Sequence, residues 1–171
     1  MKRTSNRTKR ASQLAMAAFA ATLFVGVSWA GGSGPTLAVA DTVAANGGVM
    51  MLNAVLHEDG KVTGNFDYVS GGGDVIVGFP TCLYVEGNSA YISGLVESGT
   101  FNGVDVTGES FNFRVDDNGI PGSNPPDGQG LLFFVNPAAG FELCNNPNFR
   151  AFYDSGPPAV DVVEGNINIK G

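Results

Sequence analysis

Basic, histidine and tryptophan side chains are scarce in this chain, and each scarcity removes a class of chemistry. The 171 residues include nine lysines and arginines, one histidine and one tryptophan. A lone imidazole, His57, rules out multi-histidine metal sites, and a Ser-His-Asp triad would have to be built around it. No GxSxG elbow, HExxH helix, phosphate-binding glycine loop or catalytic-cysteine setting occurs. Five of the basic residues (Lys2, Arg3, Arg7, Lys9 and Arg10) crowd the N-terminus. Beyond them only Lys61, Arg114, Arg150 and Lys170 stand against sixteen acids, a formal net charge of −12. Nucleic-acid affinity comes mostly from basic groups that release counterions, so this acidity argues against nucleic acid and anionic membrane surfaces as partners. Helical periodicity is also missing after the first thirty residues, whereas 25 glycines and 9 prolines are spread among apolar segments.

The basic head is followed by an apolar run, Leu14 to Val27, broken by Thr22 and Gly26, and then by Ser28-Trp29-Ala30, with small residues where a signal peptidase reads. Residues 1–30 are therefore expected to be a cleaved secretory signal, 31–47 a flexible linker and 48–171 one β domain. The expected location is secreted or extracellular. The alternative is an uncleaved leader anchoring the chain to the outer face of the cytoplasmic membrane, since 11–30 approaches the roughly 20 residues a spanning helix needs. Ala38-Val39-Ala40 offers a second cleavage site. Cleavage at residue 30 removes the only tryptophan, Trp29, and with it one kind of sugar-stacking platform.

Strand periodicity dominates the remainder. Val62, Phe66 and Tyr68 alternate with polar positions, as do Ala90, Ile92, Gly94 and Val96, and then Phe111, Phe113 and Val115. Asp59-Gly60, Gly87-Asn88 and Asn102-Gly103 suit primed hairpin turns, and Ser70 to Gly73 makes a looser link. Strands are expected near 49–57, 61–69, 74–86, 89–101, 104–116, 130–135, 148–153 and 160–170. About eight antiparallel strands joined by short hairpins can close as an up-and-down β-barrel or split into a two-sheet β-sandwich, and the run of nearest-neighbour hairpins favours the barrel. An immunoglobulin domain does not fit, because no tryptophan follows Cys82 and Glu142 stands where a tyrosine corner would place Tyr.

Cys82 and Cys144 are the only cysteines, an even count that argues for a structural disulfide in an exported chain. The segment from Asp116 to Gly128 is rich in hard oxygens, and Asp116, Asp117, Asn118 and Asp127 are candidate Ca²⁺ ligands. The same residue types form turns without an ion, and the spacing is not that of an EF-hand. His57 reads as an ordinary polar residue at a hairpin. Phe66, Phe79, Phe101, Phe111, Phe113, Phe133, Phe134, Phe141, Phe149 and Phe152 read as core, and no catalytic residue is nominated.

Cys82-Leu83-Tyr84-Val85-Glu86-Gly87-Asn88-Ser89-Ala90, with the later Val115-Asp116-Asp117-Asn118-Gly119, resembles a group of small exported bacterial β-rich proteins. That group pairs a Cys-x-x-Val-x-Gly-Asn-x-Ala strand turn with a Val-x-Asp-x-Gly loop, and the resemblance spans roughly residues 48–170. It implies a module of these boundaries and carries no activity. The expected function is a non-catalytic binding or surface-presenting module whose partner would be an extracellular protein, a glycan or a small apolar ligand. The alternatives are a carrier of a small apolar ligand inside a barrel, and a hydrolase using surface carboxylates.

Overall fold

A computed structural model of the chain describes residues 35–120, 124–140, 143–156 and 159–171. The expectations for the leader, for 31–34, for 121–123 and for Phe141 lie outside the described residues. Ser33–Gly171 forms one compact unit. Its strands are β1 (Thr36–Ala44), β2 (Val49–Leu56), β3 (Val62–Val69), β4 (Val75–Glu86), β5 (Ser89–Phe101), β6 (Val104–Asp105), β7 (Ser110–Asp116), β8 (Gly128–Gln129), β9 (Phe133–Val135) and β10 (Val160–Lys170). Each strand from β1 to β5 pairs antiparallel with the next, β5 also pairs with β7, and β7 connects through β8 to β10, which returns to β1. The result is a closed eight-stranded antiparallel β-barrel with β6 and β9 as extra strands.

Local turn chemistry explains the meander. Gly60 has φ +82° and the Asp59 side chain accepts from the Lys61 N–H at 3.0 Å, closing the β2–β3 hairpin. Asn102 and Gly103 both take positive φ, 52° and 74°, as a type I′ turn requires between β5 and β6. The expected strand 104–116 is interrupted at 106–109. Gly108, with φ +81°, lets the chain bulge there while the Val96 N–H donates to Glu109 O and the Gly108 N–H to Val96 O. Pairing with β5 then resumes at Ser110.

Two expectations need correction. The presumed linker supplies β1, which pairs along its length with β2 and β10 and buries Ala38, Ala40, Thr42 and Ala44. Cleavage after Ala40 would remove half of a barrel strand. The expected strand 148–153 is instead helix α2 (Pro147–Ser155), preceded by a helical turn α1 (Pro137–Gly140) and a 3-10 turn at Leu143–Asn145. Asn146 caps α2 by accepting the Asn148 N–H at 2.9 Å, and Pro147 occupies the first turn, where its missing N–H costs nothing.

The barrel interior is filled. Phe66, Phe111 and Phe113 are at most 1% exposed, and the Phe66 ring lies 4.4 Å from Phe111 and 5.0 Å from Phe113 by centroid. Met50, Leu52, Ile76, Ile92, Val96, Val115 and Ile167 complete this core. Gly94 belongs to the inward face because the Phe111 ring occupies the place where its Cβ would be. Phe79 and Phe152, read as core, are 40% and 45% exposed. Phe79 pairs with Leu95 on the outward side of the wall, and Phe152 lies on the free face of α2, where it stacks only at its edge on Phe133 and Tyr153.

A second small core lies outside the barrel, where α2 and the 3-10 turn cover β4, β5 and β7. Cys82, Tyr91, Cys144 and Tyr153 are buried there, with Tyr84, Phe133 and Phe149 packed against them. The cover explains why Ser93 and Asn112, on what would be the solvent face of alternating strands, are fully buried. Both are satisfied: Ser93 Oγ donates to Asn112 Oδ1 at 2.7 Å and accepts the Cys144 N–H at 3.1 Å. The Tyr153 hydroxyl lies 2.9 Å from the carbonyls of both Asn112 and Leu131.

Candidate functional site

Cys82 and Cys144 form a disulfide with a Cα–Cα distance of 6.0 Å, which ties the outer cover to β4. His57 is exposed at the β2–β3 turn, its Nε2 2.7 Å from Thr63 Oγ1. Among the described residues no group of three or more His, Cys, Asp or Glu side chains has the arrangement of a metal site.

The four candidate Ca²⁺ ligands are brought together at one place, the seam where β7 and β10 are bridged only by the two-residue β8. There they act as hydrogen-bond acceptors. Asp127 takes the Asn118 N–H on Oδ1 and the Ile167 N–H on Oδ2, each at 2.8 Å. Asp117 takes the Gly119 N–H at 3.1 Å and the Ile169 N–H at 3.0 Å. Asn118 accepts from Asn88 Nδ2 at 2.7 Å and donates to Pro126 O at 2.6 Å. Asp116 receives both Nε and Nη2 of Arg114 at 2.8 Å and the Ser89 hydroxyl at 2.5 Å. The carboxylates of Asp117 and Asp127 thus do for β10 what a full neighbouring strand would do: they satisfy the Ile167 and Ile169 N–H groups on its edge away from β1.

The opposite end of the barrel is open. Its mouth is formed by the β1–β2 turn (Asn46), the β3–β4 turn (Ser70 to Asp74), the β5–β6 turn (Asn102), the segment after β8 and the start of β10, and it encloses a cavity of about 290 Å³. Tyr68, Phe101, Gln129, Leu132 and Val160 line it. Gln129 is held from both sides, opposite Val115 on β7 and Val160 on β10. It is only 6% exposed and its side-chain oxygen has no hydrogen-bond partner. Four buried side-chain oxygens among the described residues share that condition, on Thr42, Ser110, Gln129 and Asn166, and Gln129 is the one of them that lines the mouth. The Tyr68 phenol is pushed up by burial and by the neighbouring Asp74 charge. Glycine at 48 leaves room for it, since a Cβ there would stand 2.9 Å from the Tyr68 hydroxyl. Asp74 ties two rim turns together: it accepts the Asn102 N–H at 3.0 Å, the Gly103 N–H at 3.3 Å and the Ser70 hydroxyl at 3.3 Å, and the Asn102 bond above all holds its carboxyl below the ordinary range.

No family model, curated protein or solved structure matches the chain. A larger hollow of about 490 Å³ lies on the outer wall between the start of β3 and the bend of β4, lined by Gly60 to Gly64 and by Phe79, Pro80 and Thr81. It is more open than the mouth, and none of the four unpartnered buried side-chain oxygens belongs to a described residue lining it. Among the described residues no helix is long and apolar enough to cross a membrane.

Sequence reasoning did not nominate Gln129. The one local signal is an amide set between Gly128 and Gly130 at the head of an apolar run, and alternation says nothing of where such a residue points until β8 is known to lie between β7 and β10.

Proposed function

We propose that this chain is an exported, disulfide-tied β-barrel that works without catalysis by holding a small ligand at the barrel mouth. One observation carries the reading: a cavity of about 290 Å³, just below the roughly 300–1,000 Å³ typical of small-molecule sites, is lined by Gln129, whose buried side-chain oxygen no protein group satisfies. A buried acceptor without a partner costs stability, and a ligand donor would recover it. Packed aromatic rings occupy the barrel interior, which favours a ligand at the end over one at the centre. The basic head, the apolar leader and the Cys82–Cys144 bridge support export.

A thermal-shift screen of the oxidised protein against small neutral, cationic and anionic fragments tests this, run beside Gly72→Trp. Gly72 is exposed on the mouth's rim, and a Cβ there meets nothing closer than Ser70 Oγ at 3.6 Å, so the indole can cover the entrance without disturbing the wall. Fragments that raise Tm in the parent and not in Gly72→Trp, and are recovered chemically unchanged, bear the reading out. An empty screen, or hits that Gly72→Trp leaves intact, would overturn it.

A further inference from the structure

The chemistry of the mouth narrows its ligand class, an inference that rests on the mouth being the binding site. None of the described residues lining the cavity is Lys, Arg or His, and the one ionised side chain among them is Asp74. An anion entering there would find no countercharge among these residues and would meet the Asp74 carboxylate at the rim. A cation meets the reverse. The oxygens of Asp74 already accept N–H and hydroxyl donors from Ser70, Asn102 and Gly103, which fixes its position and leaves its net charge to act across the rim. Behind the wall the need is for a donor, because the Gln129 oxygen is a buried acceptor without a partner. The terminal amide turns about a broad torsion, so it can present that oxygen to an arriving group. Phe101, Leu132 and Val160 supply the apolar remainder of the wall. The rings of Tyr68 and Phe101 add faces that attract cations.

We propose that the mouth binds a small organic ammonium ion. Its N–H donates to Gln129 Oε1, its charge faces Asp74, and its apolar body packs on Phe101, Leu132 and Val160. A neutral donor of the same shape would satisfy Gln129 alone and bind more weakly; a carboxylate would satisfy neither group.

Titration calorimetry of the oxidised protein with benzylamine, benzyl alcohol and benzoate at neutral pH separates these cases. Benzylamine is expected to bind at least tenfold more tightly than benzyl alcohol, with no measurable heat from benzoate. Gln129→Met removes the acceptor while keeping the side chain's length. It is expected to raise Tm, since the orphaned oxygen is gone, and to weaken benzylamine at least fivefold. Tyr68→Phe keeps the ring and is expected to change affinity less. If benzyl alcohol or benzoate matches benzylamine at the mouth, the ammonium assignment fails while the binding reading stands. Benzylamine affinity untouched in a folded Gln129→Met also overturns the assignment. If none of the three binds and the broader fragment screen is also empty, both readings fall.

Discussion

Replacing Asp127 with alanine should open the seam between β7 and β10. Its carboxylate is 6% exposed and accepts two backbone N–H groups, from Asn118 and Ile167, each at 2.8 Å. Truncation removes two charge-assisted hydrogen bonds and strands the Ile167 N–H in a site that is itself 1% exposed. Leaving a buried donor unsatisfied costs about 1–3 kcal/mol, so the two together come to roughly 4 kcal/mol, the Asn118 side being partly open to water and weighing less. For a domain of this size that corresponds to a fall in Tm of about 12 °C. The Asp127 carbonyl still accepts the Val162 N–H at 2.9 Å, so the loss should be confined to the upper half of β10. Scanning calorimetry of the oxidised variant measures the total, and amide hydrogen exchange locates it: the Ile167 and Ile169 amides should lose protection while Ala40 and Leu52, in the β1–β2 ladder, keep theirs. Glu97→Ala, at an exposed position, serves as a control and should change Tm by no more than a degree or two. An Asp127→Ala protein that melts within about 2 °C of the parent, with Ile167 still protected, would refute the idea that this side chain stands in for a strand.

Four further outcomes are expected. Cys82→Ser with Cys144→Ser should lose about 4 kcal/mol by the chain-entropy estimate for a closed loop of 62 residues, seen as a lower urea midpoint that matches the reduced parent. Burial and its hydrogen bond to Asp154 raise the Tyr91 phenol to about 12, so below pH 10 its contribution is constant; from pH 10 to 12 the unfolded chain ionises first and stability should fall, with a shallower fall in Tyr91→Phe, followed by urea midpoints across that range. Gly94→Ala should cost about 1–3 kcal/mol because its Cβ would overlap the Phe111 ring, and circular dichroism melts report the loss. Millimolar Ca²⁺ should leave Tm unchanged, since the oxygens of Asp116, Asp117 and Asp127 already face N–H, guanidinium or hydroxyl donors; a rise of several degrees that a chelator reverses would show that the ion displaces those donors.

The barrel was largely readable from local patterns. Turns such as Asp59-Gly60 and Asn102-Gly103 declare themselves because only certain residues take positive φ, and the inward sets Phe66–Tyr68 and Phe111–Val115 follow from a period of two. β1 was missed because its inward residues, Ala38, Ala40 and Ala44, are small and weak strand formers beside a glycine-rich stretch. Pairing on both sides, and not propensity, makes that segment a strand. For α2 the clues are Asn146-Pro147, a cap followed by a first-turn proline, and three aromatics too few to establish a helical period, so that aromatic richness reads equally as strand. The latches from Asp127 to Ile167 and Asp117 to Ile169 join residues 40 and 52 positions apart, which no local pattern reveals. Gln129 is in the same position: its burial depends on which strands come to flank it.

Binding at the mouth, and not at the larger outer hollow, is tested most directly by titrating an ¹⁵N-labelled sample with benzylamine and following the amide chemical shifts. Shifts should gather at Tyr68, Asp74, Gln129, Leu132 and Val160 and saturate with a single affinity. Shifts gathered at Gly60 to Gly64 and Phe79, with Gln129 and Tyr68 unmoved, would contradict it.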